Sequence, residues 1–151
     1  MAEYSANAVQ TVNPGEAIVF TNSDFPCQRG LVRHRDGTGS FLLAGWVPNR
    51  CCCDKSAQYY VNFGANIAVP TGGTVGEISV ALTIDGTIVP ASTMRATPAA
   101  VEEYFNVSRV ISVPVWRGCC ETVSIRNLGD QPILVDSPVV SISRPDLAVT
   151  R

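Results

Sequence analysis

The sequence predicts an all-β chain: a two-sheet antiparallel jelly-roll sandwich of about ten short strands. Three observations carry that expectation. The 12 glycines and 10 prolines punctuate the 151 residues throughout, at intervals of about 8 to 14 positions, the rhythm of an all-β domain. Between these breaks apolar residues recur at every second position. Only residues 97–103 have helix-starting character, with Thr97 as N-cap, Pro98 at the first helical position and room for about two turns.

Strands are expected at residues 6–12, 15–22, 30–35, 40–46, 58–68, 76–84, 87–94, 104–115, 121–128 and 133–144. The alternation is clearest where Ile78, Val80, Leu82 and Ile84 share one face, with Ser79, Ala81 and Thr83 on the other. Tyr59, Val61, Phe63, Ala65 and Ile67 form a second apolar set, and Phe105, Val107, Ile111, Val113 and Val115 a third, so three long strands feed one core. Asp85 and Gly86 between two apolar runs signal a type I′ hairpin, and Asp36 and Gly37 another tight connection. Turns at 70–73 and 129–132 close two more strand pairs. Pro114 and Pro138 fall in or beside strands, which places those segments at a sheet edge or a bulge. The chain divides into an N-terminal arm or first strand (1–14), a jelly-roll domain (15–144) and a C-terminal tail (145–151).

Hydrophobic residues make up 46% and charged residues 16%, which excludes disorder, collagen and coiled coil. A formal charge of -2 supplies no basic footprint for nucleic acid. The first ten residues carry neither a basic leader nor a long apolar run, so no secretory signal is expected. Apolar stretches fall well short of the roughly 20 residues that cross a bilayer as a helix. The expected location is a virion or extracellular surface, reached without a signal peptide after synthesis in a cytoplasm.

Six cysteines lie in three clusters: Cys27; Cys51, Cys52 and Cys53; Cys119 and Cys120. If each loop reverses the chain, the loops at 23–29, 47–57, 85–86 and 116–120 share one pole, which collects all six. Neighbouring cysteines rarely bond each other, because the ring through their peptide bond is strained. Bridges from the 47–57 loop to Cys27 and to Cys119 and Cys120 are favoured, each contributing about 2–4 kcal/mol. Free thiols, a metal and redox chemistry remain alternatives. For zinc, neither CCC nor CC offers the usual spacing.

Little else suggests chemistry. His34 is the only histidine, flanked by Arg33 and Arg35 and placed by alternation on the opposite strand face from both. As a general base it lacks a nucleophile motif, and a surface or interface position is the stronger reading. The two arginines are expected to pair with acids such as Asp36 or Asp54. Glu102 and Glu103 diverge on any short helix and read as solvated, and Gly72 and Gly73 form a turn without the Lys-Ser/Thr of a phosphate cradle. The glycosylation sequon at Asn106 is idle without a secretory route. No enzyme, cofactor or metal is expected. Trp46, Tyr59, Tyr60 and Trp116 are candidate ligand or interface aromatics, since flat rings at loop ends bind sugars and also cap cores and subunit contacts.

The strand series has a further likeness. Gly39, Phe41 and Leu43 form a G-x-F-x-L strand, Tyr59, Val61 and Phe63 a Y-x-V-x-F strand, and Ile84, Asp85 and Gly86 an I-D-G hairpin, followed by a late strand before the final pair. This series resembles the tumour-necrosis-factor/complement-C1q type of jelly roll across residues 15–144, as found in bacterial and phage surface proteins. The stretch GCCETVSIRN at 118–127 resembles small prophage-encoded proteins of gut Firmicutes. The resemblance implies a homotrimer packed around a three-fold axis by one aromatic-rich sheet face.

The expected function is therefore a non-enzymatic structural surface subunit of a bacteriophage particle, either a capsid decoration or a short fibre component. Its partners would be its own copies and other virion or surface proteins, with neither nucleic acid nor membrane. A glycan- or receptor-binding adhesin head is the alternative. A self-assembling bacterial or spore-surface appendage joined by disulfides is a third reading.

Overall fold

The computed structural model describes residues 2–27, 30–48 and 55–145. Its strands are β1 (Ala2–Ser5), β2 (Gln10–Val12), β3 (Asn22–Phe25), β4 (Val32–His34), β5 (Phe41–Ala44), β6 (Ser56–Ala68), β7 (Ile78–Ile84), β8 (Thr87–Ile88), β9 (Met94–Ala96), β10 (Phe105–Trp116), β11 (Cys120–Asn127) and β12 (Ile133–Ser143). They form two six-stranded antiparallel sheets. The first runs β10-β6-β12-β1-β3, with β2 also on β12; the second runs β4-β5-β11-β7-β8, with β9 also on β7.

Alternation decides what lies between the sheets. In β6, Ala57, Tyr59, Val61, Phe63, Ala65 and Ile67 are all buried and meet Val80, Leu82, Val123 and Ile125 of the second sheet in one core. Cutting Phe63, fully buried at its centre, back to alanine would cost about 3–5 kcal/mol. The hairpin at Asp85 and Gly86 forms as its residues predict, with positive φ at both (51° and 86°). Pro114 lies in β10, an edge strand of the first sheet, and Pro138 at the register shift between Asp136 and Val139 of β12.

Five expectations need correction. The strand at 6–12 is reduced to β2 at Gln10–Val12, and a separate strand, β1, precedes it with Ala2 and Tyr4 buried. The strand at 15–22 does not form: Ala17 and Phe20 make only isolated bridges, because the segment passes from one sheet to the other. The Ile18 amide bonds Ile125 of the second sheet, whereas the Thr21 amide bonds Ser5 of the first. The Gln10 carboxamide serves Val19 in between, receiving from its amide (2.8 Å) and donating to its carbonyl (2.9 Å).

The strand at 87–94 is broken by a 3-10 turn at Pro90–Ser92, where the Ser92 hydroxyl receives the Leu82 amide at 2.9 Å. Residues 97–103 form no helix. Glu102 takes a positive φ of 58° and its amide bonds the Val69 carbonyl, so a tertiary bond redirects a segment too short to hold a helix by itself. The strand β7 also buries more than one face. Ala81 and Thr83 are inaccessible too: the Thr83 hydroxyl bonds that of Ser124 (2.7 Å), and Arg126, opposite Ala81 in the register, bonds the Ser124 hydroxyl (3.2 Å) and the Gly15 carbonyl (3.0 Å).

Candidate functional site

The outer face of the first sheet is set by register. Opposite the core residues of β10, β6 and β12, outward positions line up in rows: Trp116 with Ser56; Pro114 with Gln58; Ser112, Tyr60 and Ser143; Val110, Asn62 and Ser141; Ser108, Gly64 and Val139. Asn106, Asn66 and Asp136 form the next row. The Asn106 amide donates to the Asn66 carbonyl oxygen at 3.2 Å. Among these rows only Asp136, at the far end, carries a charge. Large groups stand out from the sheet: Trp116 is 62% exposed, Val110 60% and Tyr60 45%.

One end of this face is built by a loop junction. The Gly45 amide donates to the Cys119 carbonyl (2.8 Å), the Gly118 amide to Gly45 (3.0 Å) and the Arg117 amide to Lys55 (2.8 Å). A side chain at Gly45 would collide with the carbonyl oxygens of Trp116 and Cys119, so glycine is what lets the two loops close. The junction gathers Trp46, Trp116, Cys119 and Cys120 at one pole, all exposed.

The four candidate aromatics separate. Tyr60 and Trp116 lie on the outer face, and Trp46 projects from the loop after β5. Tyr59 is corrected to a core residue: its parity in β6 turns it inward, where it is inaccessible and donates to the Ala44 carbonyl (2.5 Å), with that of Leu31 at 3.2 Å. Burial pushes its hydroxyl pKa up, against the pull of neighbouring Arg144.

His34 is half-buried. It stacks on Phe41 (4.4 Å, 18°) beside Tyr4, and its ring nitrogens lie 2.9 Å from the Ser40 carbonyl and 3.0 Å from that of Phe20. Both nitrogens are thus engaged with backbone. Asp36 accepts from the Ser23 hydroxyl at 2.6 Å. Asp54 lies outside the described residues.

Cys27 packs half-buried against the core, and Cys119 and Cys120 carry free thiols. Cys51, Cys52 and Cys53 lie outside the described residues, and among those described no disulfide is formed. No group of three or more metal-binding side chains occurs among the described residues, and none of their helices is long and apolar enough to cross a membrane.

The sequence did not single out the pairing of Asp85 with Glu121. Asp85 accepts the Thr122 amide at 2.9 Å. A hydrogen bond between the two carboxyls raises the pKa of Glu121 and lowers that of Asp85. The signal was long-range, since only the β11–β7 register brings the two together.

No protein-family model and no curated protein matches the sequence. Solved structures do. The globular domain of zebrafish complement 1qA is similar over 99% of this chain and 97% of its own, at 13% identity and a TM-score of 0.64. The Eiger TNF of S. frugiperda is similar over 99% of this chain and 93% of its own, at 11% identity and 0.63. The CBM35 module of Cellvibrio japonicus Abf62 covers 94% of this chain and 96% of its own, at 12% identity, but reaches only 0.41. The chain therefore has the two-sheet jelly-roll fold of C1q and TNF domains.

Proposed function

We propose that the chain is a non-enzymatic structural subunit that assembles as a homotrimer through the outer face of β10, β6 and β12 and serves as a surface component of a bacteriophage particle. The observation that supports this reading most is the nearly uncharged outer face, from which Trp116, Val110 and Tyr60 project. In a chain with 11 basic and 13 acidic side chains, so wide a surface without charge is suited to burial against another protein. It can also meet a copy of itself without like-charge repulsion.

Three-fold symmetry is what the resemblance to tumour-necrosis-factor/C1q jelly rolls implies, and the phage setting is what GCCETVSIRN implies. Bridges from the 47–57 loop to the other cysteine loops would add resistance to unfolding outside the cell. In a culture producing the particle, the chain should band with capsid or tail proteins on a density gradient. Finding it only among unassembled proteins at the top would overturn the particle reading.

A second reading, a glycan-binding head, is favoured by the exposed Trp46 and Trp116 at one pole (50% and 62% exposed). Glycan-array binding lost in both Trp46→Ala and Trp116→Ala would support it. No binding, or binding that survives both changes, would remove it.

A further inference from the structure

His34 brings both ring nitrogens to oxygens that can only accept. Nδ1 lies 2.9 Å from the Ser40 carbonyl oxygen and Nε2 lies 3.0 Å from that of Phe20. A neutral imidazole has one N–H and one bare lone pair. Whichever tautomer it adopts, one of these contacts sets lone pair against lone pair. Turning the ring over gives no relief, because it puts carbons where the nitrogens were, against the same two oxygens. Only the imidazolium donates at both.

The walls around the ring also suit a cation. Phe41 stacks on it at 4.4 Å and the Tyr4 ring lies 4.9 Å away, both within reach of a cation–π contact. We infer that His34 is held as an imidazolium that ties the Phe20 and Ser40 carbonyls together, a latch that tightens in acid and loosens in alkali.

The charged groups around the ring are few. From β1 comes Tyr4, whose pKa burial raises and nearby Cys27 and Asp36 raise further; Glu3 accepts from Ser141. Asp24 of β3 accepts from Ser5, and Asp36 in the turn after β4 accepts from Ser23. Negative charge on any of these favours the imidazolium. Arg33 and Arg35 flank His34 in sequence and are exposed. Residues 17–21 and β5 contribute no titratable group.

The latch sits where the chain changes sheets. The Ile18 amide bonds the second sheet and the Thr21 amide the first, and the Phe20 carbonyl between them also receives the Gly37 amide at 2.9 Å. With one ring proton gone, the Phe20 or the Ser40 carbonyl faces a lone pair. The crossing segment and the turn after β4 then part first.

The folded form keeps two ring protons where an unfolded chain gives one up near neutrality. It therefore binds more protons than the unfolded form, so its stability falls as pH rises through that region.

His34 is the only histidine, so ring-nitrogen NMR of the full-length, reduced chain labelled at histidine reports it alone. At roughly pH 7.5, where a free imidazole carries a single proton, both nitrogens should be protonated. One bare nitrogen in the folded chain would overturn the latch. Urea unfolding of the native chain and His34→Gln at roughly pH 6 and pH 8 brackets the range in which histidine changes charge. The folding equilibrium constant of the native chain should fall roughly tenfold more than that of the variant, the effect of about one charged hydrogen bond. Thiols and the terminal amine titrate alike in both chains and cancel in the comparison. Equal falls would overturn the latch as well. Should His34→Gln lose its fold, the ring spectrum of the native chain decides.

Discussion

The guanidinium carbon of Arg144 stands 4.9 Å from the centroid of the Tyr59 ring, and one of its nitrogens donates to the Trp46 carbonyl at 3.0 Å. A nearly buried cation thereby joins the end of β12, the core face of β6 and the loop bearing Trp46. Contacts of this kind contribute about 0.5–2 kcal/mol through the ring and about 1.5–3 kcal/mol through a charged hydrogen bond. Arg144→Ala should lower the free energy of unfolding by about 2–5 kcal/mol. Urea titration checks this, and a loss within about 0.5 kcal/mol, as at an ordinary surface position, would show that the pole closes without it.

The pairing of Asp85 with Glu121 predicts opposite pH effects from its two members. The folded-state pKa of Glu121 is raised, so its contribution is complete below the unfolded value near 4.5 and is lost as pH rises through the raised one. That of Asp85 is lowered, so its contribution is present above about 3.8 and is lost as pH falls through the lowered value. The Gly86 amide resonance should therefore titrate at higher pH than an isolated glutamate would dictate, and Glu121→Gln should abolish that step. An unchanged titration in the variant would contradict the pairing.

Pro114 guards an edge. In an antiparallel strand the N–H and C=O of one residue point the same way, so with Pro114 turned from β6 the free side of β10 presents Ser112, Val110 and Ser108 until the proline interrupts it. The Arg109 side chain spans to the Ala91 carbonyl at 2.9 Å, covering part of the same edge. Pro114→Thr combined with Arg109→Ser should shorten the lag of turbidity growth at elevated temperature several-fold, because long unprotected edges pair with other chains. An unchanged lag would mean that the edge is already covered.

His34 is expected to be structural. His34→Leu should lower stability by about 1–3 kcal/mol, because the Ser40 and Phe20 carbonyls lose their side-chain partner. Thermal unfolding measures it, and a variant as stable as the native chain would contradict the assignment.

Local rules made much of this fold legible. Tyr59 to Ile67 and Ile111 to Val115 alternate cleanly because both stretches have one core face, with Arg109 interrupting the pattern earlier in β10, and Asp85 with Gly86 dictates its turn through positive φ. What escaped was decided by partners distant in sequence. Residues 15–22 have strand-like alternation in Ile18 and Phe20, yet their amides divide between two sheets. The segment with Glu102 has helix-forming residues, yet one bond to Val69 overrides them. Of the candidate site, Trp46, Tyr60 and Trp116 were singled out as ligand or interface aromatics, but together with Tyr59, which lies in the core. The uncharged rows through Gly64 were not, because they exist only once β10, β6 and β12 lie side by side in this register.

The account rests on assembly through that face, and the mass of the native chain in solution tests it most directly. Light scattering should give three times the chain's 16.1 kDa, unchanged by reductant and reduced toward one chain by Tyr60→Asp and Val110→Asp. A native chain that remains at 16.1 kDa at every concentration would contradict it.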